Sequence, residues 1–197
     1  FAIKTADVTR LTIDSSGNST FAGNVGIGGK PSVQLEVVGS TYSLIRVNGA
    51  NTNDAGIDFG DADDNDIGRI RYENTDDSMR IWTNNAERMR ITSGGEVGIG
   101  VSPSNIWSSS YDALQIGLGG SLYAHSTAGS SVNLGANIVY EGTAPNYYDK
   151  YLTSSTATKY EQDAGNHIWS TALSGTAGDA ISWSERMRID SSGNVTT

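Results

Sequence analysis

One motif recurs along this chain and constrains its fold more than any other feature. Residues 185 to 195 read Glu-Arg-Met-Arg-Ile-Asp-Ser-Ser-Gly-Asn-Val, residues 87 to 97 repeat that order with three substitutions, and residues 9 to 18 are a weaker copy. Apolar and polar side chains alternate up to the Ile, as in a half-buried strand, and Ser-Ser-Gly-Asn is typical of a tight turn. Each copy therefore predicts strand, turn and strand, and the long spacing predicts an array of small modules.

The first two copies continue into Val-Gly-Ile-Gly, at residues 25–28 and 97–100, whereas the third continues as Val195-Thr196-Thr197. Glycine weakens a strand, so two glycines on one face of a strand indicate that another backbone approaches closely. We expect the face of Gly98 to lie too close to a neighbouring chain or strand to admit a side chain, and Gly98→Val to impair assembly.

The composition predicts thin β-structure that completes its burial with partner chains. Hydrophobic residues make up 37%, against roughly 45–50% for typical globular proteins counted with glycine. The net charge of −9 argues against a general nucleic-acid binder, which usually has a basic surface. No apolar run approaches the roughly 18 residues of a membrane span, and the absence of Cys excludes disulfides and thiolate metal sites.

We predict an all-β fold of short antiparallel meanders, in three modules at residues 1–49, 50–100 and 101–197. Alternating runs separated by turns rich in Gly, Asn and Asp are the pattern that supports it. The predicted strands are 9–14, 34–39 and 42–49, then 57–59, 67–73, 78–83, 87–92 and 97–99, and finally 114–116, 122–125, 132–140, 147–153, 159–161, 167–171, 180–183 and 185–190. Almost no helix is expected, at most one turn near residues 105–108.

The repeat also carries a family resemblance. Glu-Arg-Met-Arg-Ile and its turn, followed by Val-Gly-Ile-Gly, a Pro-Ser stretch and Leu-Glu-Val-Val-Gly, resemble repeats in tail-fibre proteins of tailed bacteriophages. The hairpin predicted at residues 68–83 is similar to the segment that precedes the motif in those proteins. The first copy lacks Glu-Arg-Met-Arg and the last lacks Gly-Ile-Gly, which departs from the family pattern.

The resemblance implies a homotrimeric, extracellular fibre of the virion, often ending in an endosialidase-type intramolecular chaperone. No chaperone domain is recognisable in this sequence, so we expect a piece of a longer protein. The expected function is structural and adhesive: a segment that spaces or presents contacts to the host receptor, with no catalytic activity, cofactor or metal. Its expected partners are copies of itself, other tail proteins of the virion and, as a candidate, host surface polysaccharide, with no nucleic acid and no membrane insertion.

Two alternatives remain open at the level of sequence. One is a polysaccharide depolymerase tailspike, which would need two carboxylates about 5–10 Å apart in a groove. The short-coil period of the parallel β-helix that such tailspikes typically carry is missing here. The other is a bacterial surface adhesin, for which the same physical features would serve.

Alternation across residues 68–91 predicts a cluster of cationic and aromatic groups on one side of a sheet, namely Arg69, Arg71, Arg80, Trp82, Arg88 and Arg90. Arginine binds acidic groups bidentately and Trp stacks on sugars, so one interpretation is a site for a saccharide acid or a phosphate. The interpretation that the acidic composition favours is pairing with Asp58, Glu73 and acidic turns of a neighbouring chain. The candidate receptor contacts are Arg69, Arg71, Arg80, Trp82, Tyr147 and Tyr148.

Two further patterns favour structural roles. The acidic run at residues 61–66 begins like a calcium loop, but Asp66 stands where Gly is required and Tyr72 where Glu is required. A hard cation is one interpretation of this run, and a solvated hairpin turn is the favoured one. The only histidines are His125 and His167. Neither belongs to a recognisable nucleophile motif.

Overall fold

The computed structural model describes residues 1–6, 8–27, 35–37, 41–104, 106–127, 131–143 and 146–197. Nothing in these ranges is helical, so the predicted all-β class is confirmed. It follows that the described chain offers no helix with the length and hydrophobicity needed to cross a membrane. Contacts divide the molecule into two units, Phe1–Val47 and Asn48–Thr197.

The first unit contains two small sheets. Its strands are β1 (Ala2–Thr5), β2 (Val8–Ile13), β3 (Ser19–Phe21), β4 (Val25–Ile27) and β5 (Leu35–Val37). The strands β1, β2 and β3 pair antiparallel in that order, whereas β4 and β5 pair parallel. The predicted strand at residues 42–49 is wrong: these residues have no ladder partner, and Leu44 is 74% exposed. The alternating pattern at residues 42–49 marks apolar positions, but a strand also needs a neighbouring strand to pair with, and these residues have none.

The second unit is dominated by one large sheet. Its strands are β6 (Ala55–Phe59), β7 (Gly68–Glu73), β8 (Ser78–Thr83), β9 (Ala86–Ile91), β10 (Val97–Ile99), β11 (Tyr111–Ile116), β12 (Gly120–His125), β13 (Val132–Ala136), β14 (Ile138–Thr143), β15 (Asn146–Tyr151), β16 (Ala157–Asp163), β17 (Asn166–Ala172), β18 (Ser184–Ile189) and β19 (Val195–Thr196). Twelve of them form a continuous sheet in the order β19-β18-β17-β16-β13-β12-β11-β10-β9-β8-β7-β6, and β14 pairs only with β15.

This sheet is mixed rather than purely antiparallel, which corrects the predicted meander. The strands β10 and β11 pair parallel, with Val97 opposite Leu114 and Ile99 opposite Ile116, and every other neighbouring pair is antiparallel. The physical reason is the connection, because parallel neighbours need a crossover rather than a tight hairpin. Residues 100–110 supply that crossover. The sheet is continuous across the β10–β11 pair. Strands from residues 50–100 and strands from residues 101–197 therefore belong to one sheet.

Two predictions in the last hundred residues are wrong. The predicted strand 132–140 is divided at Asn137, which has a φ of 63° and whose side-chain amide donates to the carbonyl oxygens of Thr153 and Thr156, both at 3.0 Å. The predicted strand 180–183 is reduced to one bridge, between Ala180 and Lys150. Residues 106–108 form no helical turn, and Asn105 lies outside the described residues.

All three copies of the repeat contain the same β-bulge. The register shifts by one residue where the first arginine of the motif stands, so this arginine opposes no residue of the preceding strand. In each copy the arginine Nε donates to the hydroxyl of a threonine at the end of that strand or one residue before it: Arg10 to Thr5 at 2.8 Å, Arg88 to Thr83 at 3.2 Å, and Arg186 to Thr171 at 2.7 Å. A bulge leaves its extra residue outside the ladder, and this hydrogen bond gives the arginine a fixed position.

The bulge brings Glu and the second Arg of the motif to the same face. Residues three apart in a regular strand project to opposite faces, but the extra residue restores Glu87 and Arg90 to one side. Arg90 Nε and Nη2 donate to Glu87 at 2.8 Å each, and Arg188 makes the same two bonds to Glu185 at 2.9 and 2.6 Å. The sequence Glu-Arg-Met-Arg is therefore the pattern that encodes a bulged strand with a bidentate ion pair between its Glu and its second Arg.

The turn after the first and third copies is closed by the carboxylate of its first residue, whereas the second copy has Thr92 at that position. The Asp190 carboxylate accepts hydrogen bonds from the backbone N–H of Ser192 and of Asn194, both at 2.9 Å, and from the Asn194 side chain at 2.8 Å. Hydrogen bonding from the Asn194 side chain is the main reason that the pKa of Asp190 is lowered. Gly193 takes a φ of 86°, which L residues disfavour. The turn at Asp14 has the same bonds.

The two faces of the large sheet differ sharply in chemistry. On one face, a row of cross-strand neighbours is apolar from β6 to β18: Ala55, Tyr72, Met79, Ile91, Val97, Leu114, Leu122, Leu134, Tyr160, Trp169 and Met187. A second row beside it contains Ile57, Ile70, Ile81, Met89, Ile99 and Ile116. We call these two rows the apolar face. Many of its side chains are exposed, for example Leu134 at 59%.

The opposite face is polar, and the hairpin of β14 and β15 adds a second layer to the unit beyond it. The buried hydrophobic cluster combines residues of that hairpin with residues of the sheet and of the crossover loop: Trp107, Ala113, Tyr123, Ile138, Val139, Tyr151, Ala157 and Ala172. The core of the second unit therefore lies on one side of the sheet only.

Gly98 lies under the crossover loop. A Cβ at this position would stand 2.2 Å from the carbonyl oxygen of Val101 and 2.6 Å from Cδ of Pro103. The close approach predicted for Gly98 is confirmed, but the approaching backbone is a loop of the same chain. Gly100 is required for a different reason, since its φ is 67° and open space surrounds it.

We predict that Gly98→Ala lowers the free energy of unfolding by about 1–3 kcal/mol, because the added methyl group displaces backbone and a proline ring. Urea unfolding measures this quantity. Gly119→Ala is the matched control: nothing lies within 4 Å of its Cβ position, so its effect should stay within about 0.5 kcal/mol. Equal stabilities for the two variants would contradict the close contact.

Candidate functional site

Three of the candidate arginines form a ladder on the polar face. Arg71, Arg80 and Arg90 are direct cross-strand neighbours on β7, β8 and β9, in a row that continues to Gly98 on β10. All three side chains are half-buried, between 17% and 26% exposed. Like charges opposite one another on neighbouring strands destabilise a sheet unless counter-charges separate them. The arrangement therefore depends on the carboxylates around it.

Each arginine of the ladder has its carboxylate within the chain. Arg71 binds Asp58 through Nη2 at 2.8 Å, and Arg90 binds Glu87 at 2.8 Å. Arg80 binds Asp76, whose pKa is lowered by the Ser78 hydroxyl and then by Arg80. Hydrogen bonding to Asp58 raises the pKa of Arg71. Pairing with Asp58, Glu73 and acidic turns was the favoured interpretation of the sequence; in the described chain these contacts are intramolecular.

Arg69 and Trp82 lie opposite one another beside this ladder. Arg69 forms an ion pair with Asp66 at 2.7 Å and donates a hydrogen bond to Asn85. Arg88, which alternation placed on the same face, does not belong there. It is the bulged residue and donates to Thr83, which projects on the side of the apolar face.

Two carboxyl groups, Asp54 and Glu73, influence one another at the margin of the ladder. The pKa of Asp54 is raised by burial and then by Glu73. Arg71 stands 3.7 Å from Asp54, and Arg80 stands 3.8 Å from Glu73. Such a pair can hold one proton between two acids. Glycoside hydrolysis instead needs carboxyl groups about 5–10 Å apart, with the scissile bond between them.

The acidic run at residues 61–66 uses its carboxylates to close a turn. Asp61 Oδ1 accepts the backbone N–H groups of Asp63 and Asp64, both at 2.9 Å, and Asp64 accepts from Asn85 at 2.6 Å. The backbone N–H of Asp66 is the main reason that the pKa of Asp64 is lowered. The described residues hold no group of three or more His, Cys, Asp or Glu placed to bind a metal.

The candidate tyrosines lie on the β14–β15 hairpin rather than beside the arginines. Tyr148 is 45% exposed and lies opposite Glu141. Tyr147 lies in β15 opposite Gly142, and its side chain is outside the described part of the structure. The candidate receptor contacts therefore fall into two groups. Arg69, Arg71, Arg80 and Trp82 lie on β7 and β8, whereas Tyr147 and Tyr148 lie on β15.

The hairpin is anchored by a buried carboxylate that the sequence analysis missed. Asp149 accepts hydrogen bonds from the Tyr123 hydroxyl at 2.8 Å, from Lys159 Nζ at 3.1 Å and from Trp183 Nε1 at 2.7 Å. Lys159 also pairs with Glu161 at 3.1 Å. The signal in the sequence was faint, because these residues belong to four separate segments that only the fold brings together.

Both histidines have local partners. His125 Nδ1 accepts the backbone N–H of Thr127 at 3.0 Å, and its ring meets Tyr111 edge-on at 4.9 Å between centroids. His167 hydrogen-bonds the Tyr160 hydroxyl and stacks near Trp169. These local contacts explain the position of each imidazole ring.

Comparison with known proteins adds no relative to these observations: no family model, no curated protein and no solved structure matches this chain. The site must therefore be interpreted from its own geometry. That geometry consists of a polar face with internally paired charges, an exposed apolar face and a hairpin with an exposed tyrosine.

We predict that Asp149→Ala lowers the free energy of unfolding by about 3–5 kcal/mol, because it leaves the Tyr123 hydroxyl and the Trp183 indole N–H without their acceptor and removes one of the two carboxylates that pair with Lys159. The control is Glu141→Gln, which breaks the Glu141–Lys150 pair, whose side chains are 31% and 23% exposed. Its cost should be at most about 1 kcal/mol. Chemical denaturation compares the two. Similar losses would show that Asp149 has no special role.

The same network predicts alkaline destabilisation. Burial and then Asp149 raise the pKa of Tyr123 above its usual 10.0, and Asp149 and Glu161 together outweigh burial and raise that of Lys159 above 10.5. The folded state then holds protons that the unfolded chain releases, so stability is full below about pH 10 and falls above it. Each group contributes up to about 1.4 kcal/mol per pH unit.

Urea unfolding between about pH 9 and 11 tests this dependence. Tyr123→Phe should make the decline shallower by about one proton, whereas Tyr148→Phe, which removes an exposed hydroxyl on the hairpin, should leave it unchanged. A decline that is equally steep in both variants would exclude Tyr123 as its source.

Proposed function

We propose that this chain is a structural and adhesive segment of a bacteriophage tail fibre and that it acts as a homotrimer. The observation that carries the proposal is the exposed apolar face, which extends across eleven neighbouring strands from β6 to β18. Soluble monomers rarely expose large contiguous apolar patches. The motif resemblance to tail-fibre repeats supports the choice of this class among proteins that assemble through such faces.

The energy of covering this face is of the order that assembly needs. Nine of its side chains are 36–59% exposed, namely Ile57, Ile70, Tyr72, Met79, Ile91, Ile99, Ile116, Leu122 and Leu134. Completing the burial of each contributes about 1 kcal/mol, so the set contributes about 9 kcal/mol per chain. Association costs each chain about 4–15 kcal/mol in lost freedom of motion. Covering the face therefore offsets most or all of that cost.

Further copies of the chain are the partners that fit this surface best. The face is apolar along its whole length, and symmetric assembly lets identical faces cover one another around a common axis. On the opposite face the arginine ladder is neutralised within the chain, so that side requires no partner for its charges. A parallel trimer would bury well over the roughly 2,000 Å² at which obligate interfaces begin.

Ile116→Glu, which introduces a carboxylate into the apolar face, should dissociate the trimer. Ile116 is 52% exposed, so the substitution should cost the folded monomer little. The matched control is Leu173→Glu: Leu173 is 85% exposed and lies in the segment after β17. Sedimentation should show a smaller species for Ile116→Glu and an unchanged trimer for Leu173→Glu. A monomeric unsubstituted chain would contradict the proposal itself.

An adhesive fibre segment and a polysaccharide depolymerase differ in what they do to the host polysaccharide. The purified assembly is incubated with host envelope polysaccharide, and both binding and polymer length are followed. We expect binding without shortening, since the segment acts by shape and repeated contact rather than by a chemical step. Shortened polymer would instead support the depolymerase, and the absence of both would leave only the spacing role.

A further inference from the structure

Eight of the nine arginines of this chain, all but Arg46, fall into two sets. Five form ion pairs with carboxylates in the chain, namely Arg69, Arg71, Arg80, Arg90 and Arg188. The bulged arginine of each repeat does not. Arg10, Arg88 and Arg186 are exposed, and each makes its hydrogen bond to a threonine hydroxyl, with no described carboxylate within 4.0 Å. The motif therefore gives its two arginines different environments: the second is neutralised in the chain and the first is not.

The bulged arginines of the second unit, Arg88 and Arg186, lie beside the apolar face. Thr83 follows Ile81 by two residues in β8, and Thr171 follows Trp169 by two residues in β17, so both threonines project to the side of that face. In the first unit, Thr5 follows Ile3 in the same way. Because Nε is held by the threonine, the two outer nitrogens of each guanidinium remain available, and together they can bind a carboxylate bidentately.

We infer that the guanidinium groups of Arg88 and Arg186 bind carboxylates of a neighbouring copy of this chain at the margin of the apolar face. The inference rests on the proposed trimer and identifies polar contacts that fix its register. Stable interfaces combine an apolar centre with a polar rim, and each motif supplies both: Met and Ile for the centre and the bulged Arg for the rim.

Charge complementarity selects a second copy as the partner. The chain carries a net charge of −9, so each copy presents an excess of carboxylates to its neighbours. One of them, Asp112, projects on the same side as Leu114 and Ile116 in β11, and it is exposed. The bulged arginines are the groups that make this surface complementary in charge to the same surface of a second copy. Recurrence of the same arginine in successive repeats would set matching contacts along a common axis.

The experiment compares Arg88→Gln, Arg186→Gln and the double variant with the unsubstituted chain. The matched control is Arg188→Gln, which lies two residues from Arg186 in β18 but removes a pair within the chain. Sedimentation equilibrium at low and high salt gives the trimer dissociation constant. The salt dependence is the decisive measurement, because the screening length falls from about 10 Å at 0.1 M to about 3 Å at 1 M.

An exposed ion pair contributes about a twofold to fivefold change in affinity, and a trimer forms three equivalent contacts. Each single variant should therefore dissociate at about a tenfold to hundredfold higher constant at low salt, with a shallower salt dependence. Arg188→Gln should retain the constant and the salt dependence of the unsubstituted trimer. If the substitutions merely loosened the bulge, the dissociation constant would change without any change in its salt dependence, and that result would overturn the inference.

Three other results would also overturn it. A trimer whose assembly is identical in Arg88→Gln and Arg186→Gln would show that these arginines do not face a neighbour, while leaving the proposed function intact. Binding of dextran sulfate that depends on Arg88 and Arg186, with unchanged assembly, would assign them to an external anionic polysaccharide. A monomeric unsubstituted chain would overturn both this inference and the proposed function, so the two failures are distinguishable.

Discussion

A single sheet has two faces, and this chain covers one of them. In the second unit the buried aromatic residues Trp107, Tyr123 and Tyr151, the buried carboxylate of Asp149 and the β14–β15 hairpin all lie on the polar side of the sheet. On the other side, isoleucine, leucine and methionine stand in two rows with no layer above them in the described chain. Burial of apolar area is the main favourable term in folding and association. The uncovered rows are therefore the constraint from which the proposed assembly follows.

The β-bulge determines which arginine of the motif forms an ion pair within the chain and which is left to bind a neighbouring chain in the proposed trimer. One extra residue brings Glu87 to the side of Arg90 and turns Arg88 towards the apolar face. Without it, strict alternation would place the two arginines of the motif on the same face. The same shift recurs around Arg186, where Glu185 and Arg188 form the equivalent pair. A local irregularity of backbone thus separates two arginines that are chemically identical.

The sequence predicted much of this fold because the motif is locally complete. Residues 78–83 and 97–99 were assigned with the observed bounds, since alternation and turn residues coincide there. The parallel pairing of β10 with β11 was not predictable, because the crossover loop has no regular pattern. The sequence assigned Arg88 to the wrong face for a related reason. Alternation assumes a regular strand, and a bulge shifts by one residue which side chains project to each face. Asp149 was missed because its partners lie 10 to 34 residues away.

The proposed role also follows from how the sheet grows. Adjacent strands are about 4.8 Å apart, so the twelve-stranded sheet extends roughly 50 Å along its hydrogen-bonding direction. Backbone hydrogen bonds between successive strands give a stiff ladder in that direction, which suits a segment that holds a contact at a distance. The hairpin that carries Tyr148 lies outside this ladder and is anchored to it by Asp149. In the proposed trimer three such hairpins would act together, and weak contacts would gain affinity through effective concentration. A hairpin on a rigid anchor loses little freedom when it binds, so the buried network and the multivalent contact belong to the same mechanism.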